Sequence, residues 1–198
     1  MRTPQDFRRE YVKELFDKIL KNNKTIITPK SITINESHDS DFTSVNFSID
    51  VSGEAKRTYN FPEVEGKGFV DAVFTTCYEE FVEPYPSLKN LSLVDLIVKP
   101  IFSMSVKDLG CDARTDIILR VETKAHGLSE FSARSRSIVH ASFLAMTEAF
   151  QFYINCDRTF HVLRSCFDGA KSRHRGDLTQ SYLRDLSELT NVNSYVQR

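Results

Sequence analysis

The chain has 198 residues, of which 40% are hydrophobic and 27% are charged, a composition that excludes a collagenous, low-complexity or wholly disordered protein. Its 26 basic and 27 acidic residues give a formal net charge of −1, which argues against a global electrostatic grip on nucleic acid. No apolar run approaches the roughly 20 residues that span a bilayer, and the N-terminus has no apolar signal core. We therefore expect a cytoplasmic protein that contacts neither nucleic acid nor membrane.

The cysteine content predicts neither disulfides nor a metal site. In a chain without a signal core, thiols are expected to stay reduced. Cys156, His161, Cys166 and His174 can be drawn as a metal set, but their spacing fits no standard zinc site. The sequence therefore predicts no metal and no cofactor. The cysteines are Cys77, Cys111, Cys156 and Cys166.

The first half of the chain predicts a helix, three strands and a second helix. Pro29 interrupts an Ile- and Thr-rich run, which is typical of an edge strand or a bulge. Strict alternation over 44–51 is typical of a half-buried antiparallel strand. In chain order we predict a helix over 5–20, strands over 25–34, 44–51 and 57–61, and a helix that begins after Gly66-Lys67-Gly68 and ends near Val82.

The second half predicts the same order of elements, followed by a basic stretch. The residues from Leu91 to about Phe131 are rich in strand formers, and an amphipathic helical pattern follows them. In chain order we predict turns at Gly110–Ala113 and His126–Gly127, a helix from Ser137 to Ile154, a basic solvated linker over 158–175, and a last helix that Asp177 caps.

The two central helices resemble each other in sequence. Residues 69–74 align with 138–143, and the same offset places Glu79 over Glu148. This similarity predicts an internal duplication of a unit of three strands and a helix, and hence an α+β fold in which helices pack on antiparallel sheets. The predicted organisation is an N-terminal helix or linker over 1–24, the duplicated βββα domain over 25–157, and a basic linker with a C-terminal helix over 158–198.

The glycine pair before the first central helix is the most informative local motif. Glycines there let backbone N–H groups approach an anion, and a helix N-terminus favours negative charge. Gly66-Lys67-Gly68 lacks the third glycine of a dinucleotide fingerprint and the end of a phosphate loop, so a small carboxylate fits better than a nucleotide. Asp71 and Asp112 are candidate acceptors for an ammonium group. Each residue also has a purely structural interpretation. The glycine pair can be a plain turn before a helix, Asp71 can be an acid favoured in the first helical turn, and Asp112 can be a turn former.

Four motifs carry a resemblance to a known family. Residues 66–72, Gly-Lys-Gly-Phe-Val-Asp-Ala, resemble the Gly-Asn-Gly-Pro-Val-Asp-Ala opening of the first helix in the C-terminal regulatory domain of 2-isopropylmalate synthases, a domain that citramalate synthases share. Residues 93–100 are similar to the strand that follows this helix. Residues 110–113 are similar to the Gly-Thr-Asp-Ala turn, and 138–142 to the Ile-Val-x-Ala-Ser start of the second helix. The order and spacing of the motifs agree over residues 42–156.

The resemblance implies a duplicated βββα domain that dimerises and binds leucine or isoleucine, in feedback control of leucine biosynthesis. The synthase barrel needs about 250 residues or more, which do not fit upstream of the motifs, so we expect no catalysis from this chain alone. A separate synthase catalytic chain is a possible partner. The resemblance places the amino-acid site at Gly66, Gly68, Val70, Asp71, Leu96, Pro100, Asp112, Ala113 and Thr115.

Two other functions stay open. Arginines before the second central helix favour a dimerisation or interaction module without a ligand, and the duplicated fold could also host an enzyme with new chemistry. A homodimer is expected in either case, because the long apolar stretch Leu93–Val106 needs cover and two-fold pairing is the commonest solution.

Overall fold

The computed structural model describes residues 4–37, 39–101, 114–123 and 127–195. These residues form an α+β fold with two three-stranded antiparallel sheets and four α-helices, which confirms the predicted fold class. Two 3-10 turns, Lys21–Asn23 and Pro86–Asn90, precede the first strand of each sheet. In chain order the elements are α1 Pro4–Ile19, β1 Ile26–Glu36, β2 Thr43–Ser52, β3 Arg57–Gly66, α2 Phe69–Val82, β4 Leu91–Ile101, β5 Arg114–Thr123, β6 Gly127–Ser135, α3 Ile138–Ser172 and α4 Gly176–Thr190.

Sheet A, with strand order β1-β2-β3, follows the predicted alternation closely. Val45, Phe47 and Ile49 of the central strand are buried, and the polar residues between them are half-buried. The interruption expected at Pro29 is present, because the pairing of β1 with β2 shifts register between Pro29 and Ser31. β1 also lies at the edge of the sheet, where a proline costs little.

Sheet B, with strand order β4-β5-β6, repeats this arrangement. Ile117, Leu119 and Val121 on its central strand are fully buried. Each sheet is a meander of three sequential strands, and each is followed directly by a helix. The structure thus consists of two consecutive βββα units.

The two units share one hydrophobic core, and α3 joins them. α2 packs against β2 and β3, whereas α3 packs against β5 and β6 and also against β1 of the other unit. Phe74 on α2 lies 5.0 Å from Phe150 on α3 between ring centroids, and Phe47 on β2 lies 5.6 Å from Phe143 on α3. The helices therefore connect the inner faces of both sheets.

The helix that we predicted to end at Ile154 continues to Ser172, so most of the predicted basic linker is helical. Buried Cys156, Leu163 and Ala170 lie seven residues apart along α3, and this stripe packs against α4. Exposed basic residues between and just after these positions, such as Arg164, Lys171 and Arg173, make the segment resemble a linker in sequence.

The start of α4 also differs from the prediction. The helix begins at Gly176, so Asp177 lies in its first turn instead of capping it. The carboxylate of Asp177 accepts from Arg175, with Nη2 to Oδ2 at 3.0 Å. The Arg175 guanidinium beside it lowers the pKa of Asp177 to about 2.

The N-terminal helix is tied to the C-terminal helix by a buried carboxylate. Asp185 on α4 is fully buried, and its Oδ1 accepts from the Tyr11 hydroxyl at 2.8 Å. The Lys18 ammonium lies 3.2 Å from Oδ2 of the same group. A carboxylate this deep is tolerated because it is both paired and hydrogen-bonded. None of the described helices is long and apolar enough to cross a membrane.

Candidate functional site

The entry to α2 contains the glycine pair, and the two glycines have different surroundings. Gly66 ends β3 opposite Thr43, directly beneath the first turn of α2. A Cβ added at Gly66 would lie 2.6 Å from the Ala72 nitrogen and 2.8 Å from its Cα. The fold itself therefore requires glycine here, because strand and helix backbones approach too closely for any side chain.

Gly68, in contrast, has no such requirement. It is the N-cap of α2 with φ 179° and ψ 167°, an extended conformation that any residue adopts. A Cβ built on it meets no described atom within 4 Å. No described atom therefore occupies the position of a side chain here, and neither packing nor backbone conformation requires a glycine.

Asp71 and Val70 complete the predicted residues of the α2 entry. Asp71 is exposed, and its Oδ2 accepts from the backbone N–H of Lys67 at 3.1 Å. Its charge also lies in the first turn, where the helix dipole favours an acid. Val70 is half-buried and packs against the core. Asp71 thus has a local structural role, and its ammonium-binding role stays a prediction.

The starts of the two equivalent helices are capped differently. At α3 the Ser137 hydroxyl accepts from the His140 N–H at 3.2 Å. Ser135 also donates or accepts at the His140 ring, with Oγ to Nδ1 at 3.3 Å. At α2 the N-cap is glycine and supplies no side-chain hydrogen bond. The first N–H groups of α2 thus lack the side-chain acceptor that a serine provides at α3.

The other predicted ligand residues lie on sheet B. Pro100 on β4 is directly opposite Thr115 on β5, and Leu96 is opposite Leu119. Thr115 is buried, Leu96 is half-buried and Pro100 is exposed. Asp112 and Ala113 lie outside the described residues.

These sheet B residues and the α2 entry form two separate groups. α2 packs chiefly on β2, β3 and α3. Four cavities of about 230 to 420 Å³ are lined by described residues, and none of the four includes a predicted ligand residue. None of these four cavities therefore brings the predicted ligand residues together.

A cleft that the sequence does not predict lies between α3, the end of α1 and the β2–β3 turn. It has a volume of about 280 Å³, and its lining includes Tyr85, Asp157, Arg158 and His161. Asp157 is buried, and its Oδ2 lies 3.6 Å from Nε2 of His161. Burial raises the pKa of the Tyr85 hydroxyl. We assigned Arg158 to a basic linker because nothing in its local sequence indicates a long-range partner.

Arg158 fastens three chain segments at this cleft. Its Nη1 donates to the Asn23 carbonyl and to the Thr25 hydroxyl, each at 2.7 Å. Its Nη2 contacts Glu54 at 2.5 Å, and the arginine side chain is only 14% exposed. Gly53 leaves room for this guanidinium, because a Cβ added at Gly53 would lie 3.3 Å from Nη1 of Arg158. The contacts make Arg158 a structural clamp between α3, β1 and the β2–β3 turn.

Replacing Arg158 by alanine is expected to lower the free energy of unfolding by about 2 kcal/mol, because it leaves a buried hydroxyl and a carbonyl without their charged donor. Urea unfolding measures the change. Arg164, which is 45% exposed on the same helix, supplies the matched control, and Arg164→Ala should cost less than about 0.5 kcal/mol. Equal effects of the two changes would contradict the clamp.

The described cysteines are free thiols, as expected, and Cys111 lies outside the described residues. Burial raises the pKa of Cys77 to about 12, and it also raises the pKa of Cys156. Because the thiolate is the reactive form, neither group is a candidate nucleophile. The described residues contain no cluster of three or more His, Cys, Asp or Glu side chains that could hold a metal.

The thiols should therefore differ in reactivity. In the native protein at pH 8, maleimide should label Cys166 at least tenfold faster than Cys77 or Cys156, because Cys166 alone among these three described cysteines is partly exposed. Peptide mass spectrometry after timed labelling gives the three rates. Rapid labelling of Cys156 in a folded sample would contradict its burial.

A scan against protein-family models and a search of curated proteins each found no match for this chain.

Proposed function

We propose that this chain is a non-catalytic regulatory and dimerisation domain of the 2-isopropylmalate synthase type, and that it binds leucine or isoleucine at the N-terminus of α2. The observation that carries the proposal is the open helix entry at Gly68, in a fold made of two βββα units. A glycine that the fold does not need, at a helix start without a side-chain cap, is suited to a ligand carboxylate.

The chemistry of an α-amino acid matches the groups at this position. N–H groups at the start of α2 would donate to the ligand carboxylate, and the exposed Asp71 carboxylate would accept from the ligand ammonium. Because the α2 entry packs on β2, β3 and α3 while the other predicted ligand residues lie on sheet B, a second copy would complete the site beside the apolar residues of β4. In this proposal the chain acts in the cytoplasm, alone or on a separate synthase catalytic chain, and supplies no acyl transfer itself.

A dimerisation module without a ligand is the second candidate. The hydrogen bond from Lys67 N–H to Asp71 favours it, because this bond gives Asp71 a purely structural role. Both candidates predict a dimer, and only the first predicts saturable binding of an amino acid.

Titration of the full chain with leucine and isoleucine in a calorimeter tests the proposal. We expect saturable binding of at least one of them, with D-leucine and glycine as controls that lack the correct stereochemistry or the branched side chain. The midpoint of thermal unfolding should rise with ligand concentration, because a ligand that binds only the folded state stabilises it. A folded dimer that binds neither amino acid would favour the module without a ligand.

A further inference from the structure

β4 is the edge of sheet B that the described residues leave open. β5 lies on one side of it, and the described residues place no strand on the other side. Val94 and Val98 on this strand are 51% and 42% exposed. An edge strand with unpaired backbone groups and exposed apolar side chains is a template for a further strand.

Local contacts or irregularities interrupt each of the other described sheet edges. β4 has such features too, a register shift between Leu93 and Asp95 and a proline at Pro100, but the stretch from Asp95 to Lys99 between them pairs regularly with β5. On β6, Arg9 of α1 donates to the Glu130 carbonyl, and at the start of β1 the Asn155 amide both donates to and accepts from the Thr25 backbone. β3 contains Pro62 and a bulge at Glu63, where φ is 50°. Covering side chains, prolines and bulges are the usual devices that keep edges from pairing.

One row of charged residues crosses sheet B and ends on β4 with a positive charge. Lys99 on β4 is opposite Asp116 on β5, which is opposite Arg134 on β6. Arg134 holds Asp116 with two bonds, Nε to Oδ1 at 2.5 Å and Nη2 to Oδ2 at 2.9 Å. Signs along this row alternate, and the last member at the open edge is the Lys99 ammonium.

A second row, four residues away, ends on the same strand with a negative charge. Asp95 on β4 is opposite Arg120 on β5, which is opposite Glu130 on β6. Arg120 contacts both, with Nε to Glu130 Oε1 at 2.8 Å and Nη1 to Asp95 Oδ2 at 3.9 Å. The open edge therefore presents opposite charges at positions 95 and 99.

We infer that a second copy of this chain adds its β4 antiparallel to β4, with Ile97 on the two-fold axis. In this register Asp95 lies opposite the partner's Lys99, and Lys99 lies opposite the partner's Asp95. Each charged row of one copy then joins the other charged row of its partner, which gives two alternating rows across a continuous six-stranded sheet. Opposite charges placed directly across a strand pair stabilise it, and a two-fold interface repeats each contact.

Other two-fold registers lose this complementarity. A two-fold axis through Asp95 or Lys99 would place like charges directly opposite each other. An axis through Leu96 or Val98 would leave both charged residues opposite apolar residues. With the centre at Ile97, Leu96 also lies opposite the partner's Val98 on the face that turns toward the core.

This interface deepens the dimerisation part of the proposed function, on which it rests, and does not require an amino acid. It brings Leu96 and Pro100 of each copy beside the other copy's β4.

Cysteine cross-linking in the full chain tests the register. In directly opposed antiparallel residues the Cβ atoms are about 4.5–5.5 Å apart, which a small strand movement brings within disulfide reach. Ile97→Cys should cross-link under mild oxidation at least tenfold faster than Asp95→Cys or Lys99→Cys alone, whose own copies lie roughly 13 Å away along the strand. A mixture of the Asp95→Cys and Lys99→Cys chains should cross-link as fast as Ile97→Cys. The wild-type chain gives the background of the native thiols.

Charge substitution gives a second readout that needs no new thiol. Lys99→Glu and Asp95→Lys should each weaken the dimer at least tenfold in analytical ultracentrifugation, because each places like charges opposite each other twice. An equimolar mixture of the two variants should recover dimers, since both cross-strand pairs are then of opposite sign. Lys89→Glu, an exposed change just before β4, is the matched control and should leave the dimer unchanged.

Rapid cross-linking at position 97 together with recovery in the charge mixture would establish the register. A monomer at tens of micromolar would overturn both this interface and the dimerisation function. A stable dimer that cross-links no faster at position 97 than at 95 or 99 would overturn the β4 interface alone. Amino-acid binding in the calorimeter stands or falls separately, so the two failures are distinguishable.

Discussion

Gly68→Val is expected to lower the affinity for leucine or isoleucine at least tenfold, about 1.4 kcal/mol in binding free energy. The valine side chain would occupy the space in front of the α2 N-terminus that is open in the wild type. Because Gly68 already has extended backbone angles and no close neighbour, the free energy of unfolding should change by less than about 1 kcal/mol. Calorimetry and urea unfolding of the same samples separate the two effects.

Two further variants make this result specific. Gly176 begins α4 and also has open space around it, so Gly176→Val is a matched change at another helix start and should leave amino-acid binding unaltered. Asp71→Asn keeps an oxygen for the Lys67 N–H and removes the charge that would face the ligand ammonium, so it should weaken binding without unfolding the helix start.

Unaltered binding in both Gly68→Val and Asp71→Asn would place the ligand elsewhere on the domain. Loss of binding in Gly176→Val as well would indicate a general effect on the fold. Weaker binding in the two α2 variants alone would place the ligand carboxylate beside Gly68 and the ligand ammonium beside Asp71.

The fold was predictable because its main signals are local. The alternation around Phe47 on β2, the helical stripe that contains Phe74 on α2, and the similarity of α2 to α3 each specify an element over a short stretch of sequence. The extension of α3 was not predictable in this way. Its second half is buried through contact with α4, and the stripe of Leu163 and Ala170 is diluted by the basic residues around it.

The candidate site was predictable only in part, because its parts are joined through space. The sequence identified the glycine pair but could not distinguish its two members. A side chain at Gly66 would clash with the backbone of Ala72, whereas a Cβ at Gly68 meets no described atom within 4 Å. Arg158 was missed since its partners lie more than 100 residues away in sequence, as with Glu54. The alternating charged rows of sheet B likewise need the strand register, which periodicity alone does not supply.

Gly66→Ala is expected to lower the free energy of unfolding by about 3 kcal/mol, although it adds a single methyl group. That methyl carbon would lie 2.6 Å from the Ala72 nitrogen, a distance at which the helix backbone must move away from β3. Ala72 and its neighbour Val73 are buried in the core beneath this contact, so the displacement also disturbs apolar packing. The melting temperature should fall by about 6–12 °C for a chain of this size.

Gly68→Ala is the control, since the same methyl group two residues later meets no described atom within 4 Å. The two glycines lie on either side of Lys67. The two variants therefore distinguish a glycine that packing requires, at Gly66, from a glycine that is proposed to serve the ligand, at Gly68. If the strand–helix contact is as close as the structure places it, Gly66→Ala costs about 3 kcal/mol, whereas Gly68→Ala costs less than about 1 kcal/mol, the difference between glycine and alanine at an N-cap. Similar unfolding curves for Gly66→Ala and the wild type would mean that α2 enters the domain farther from β3, and that the two glycines do not differ in their freedom to serve a ligand.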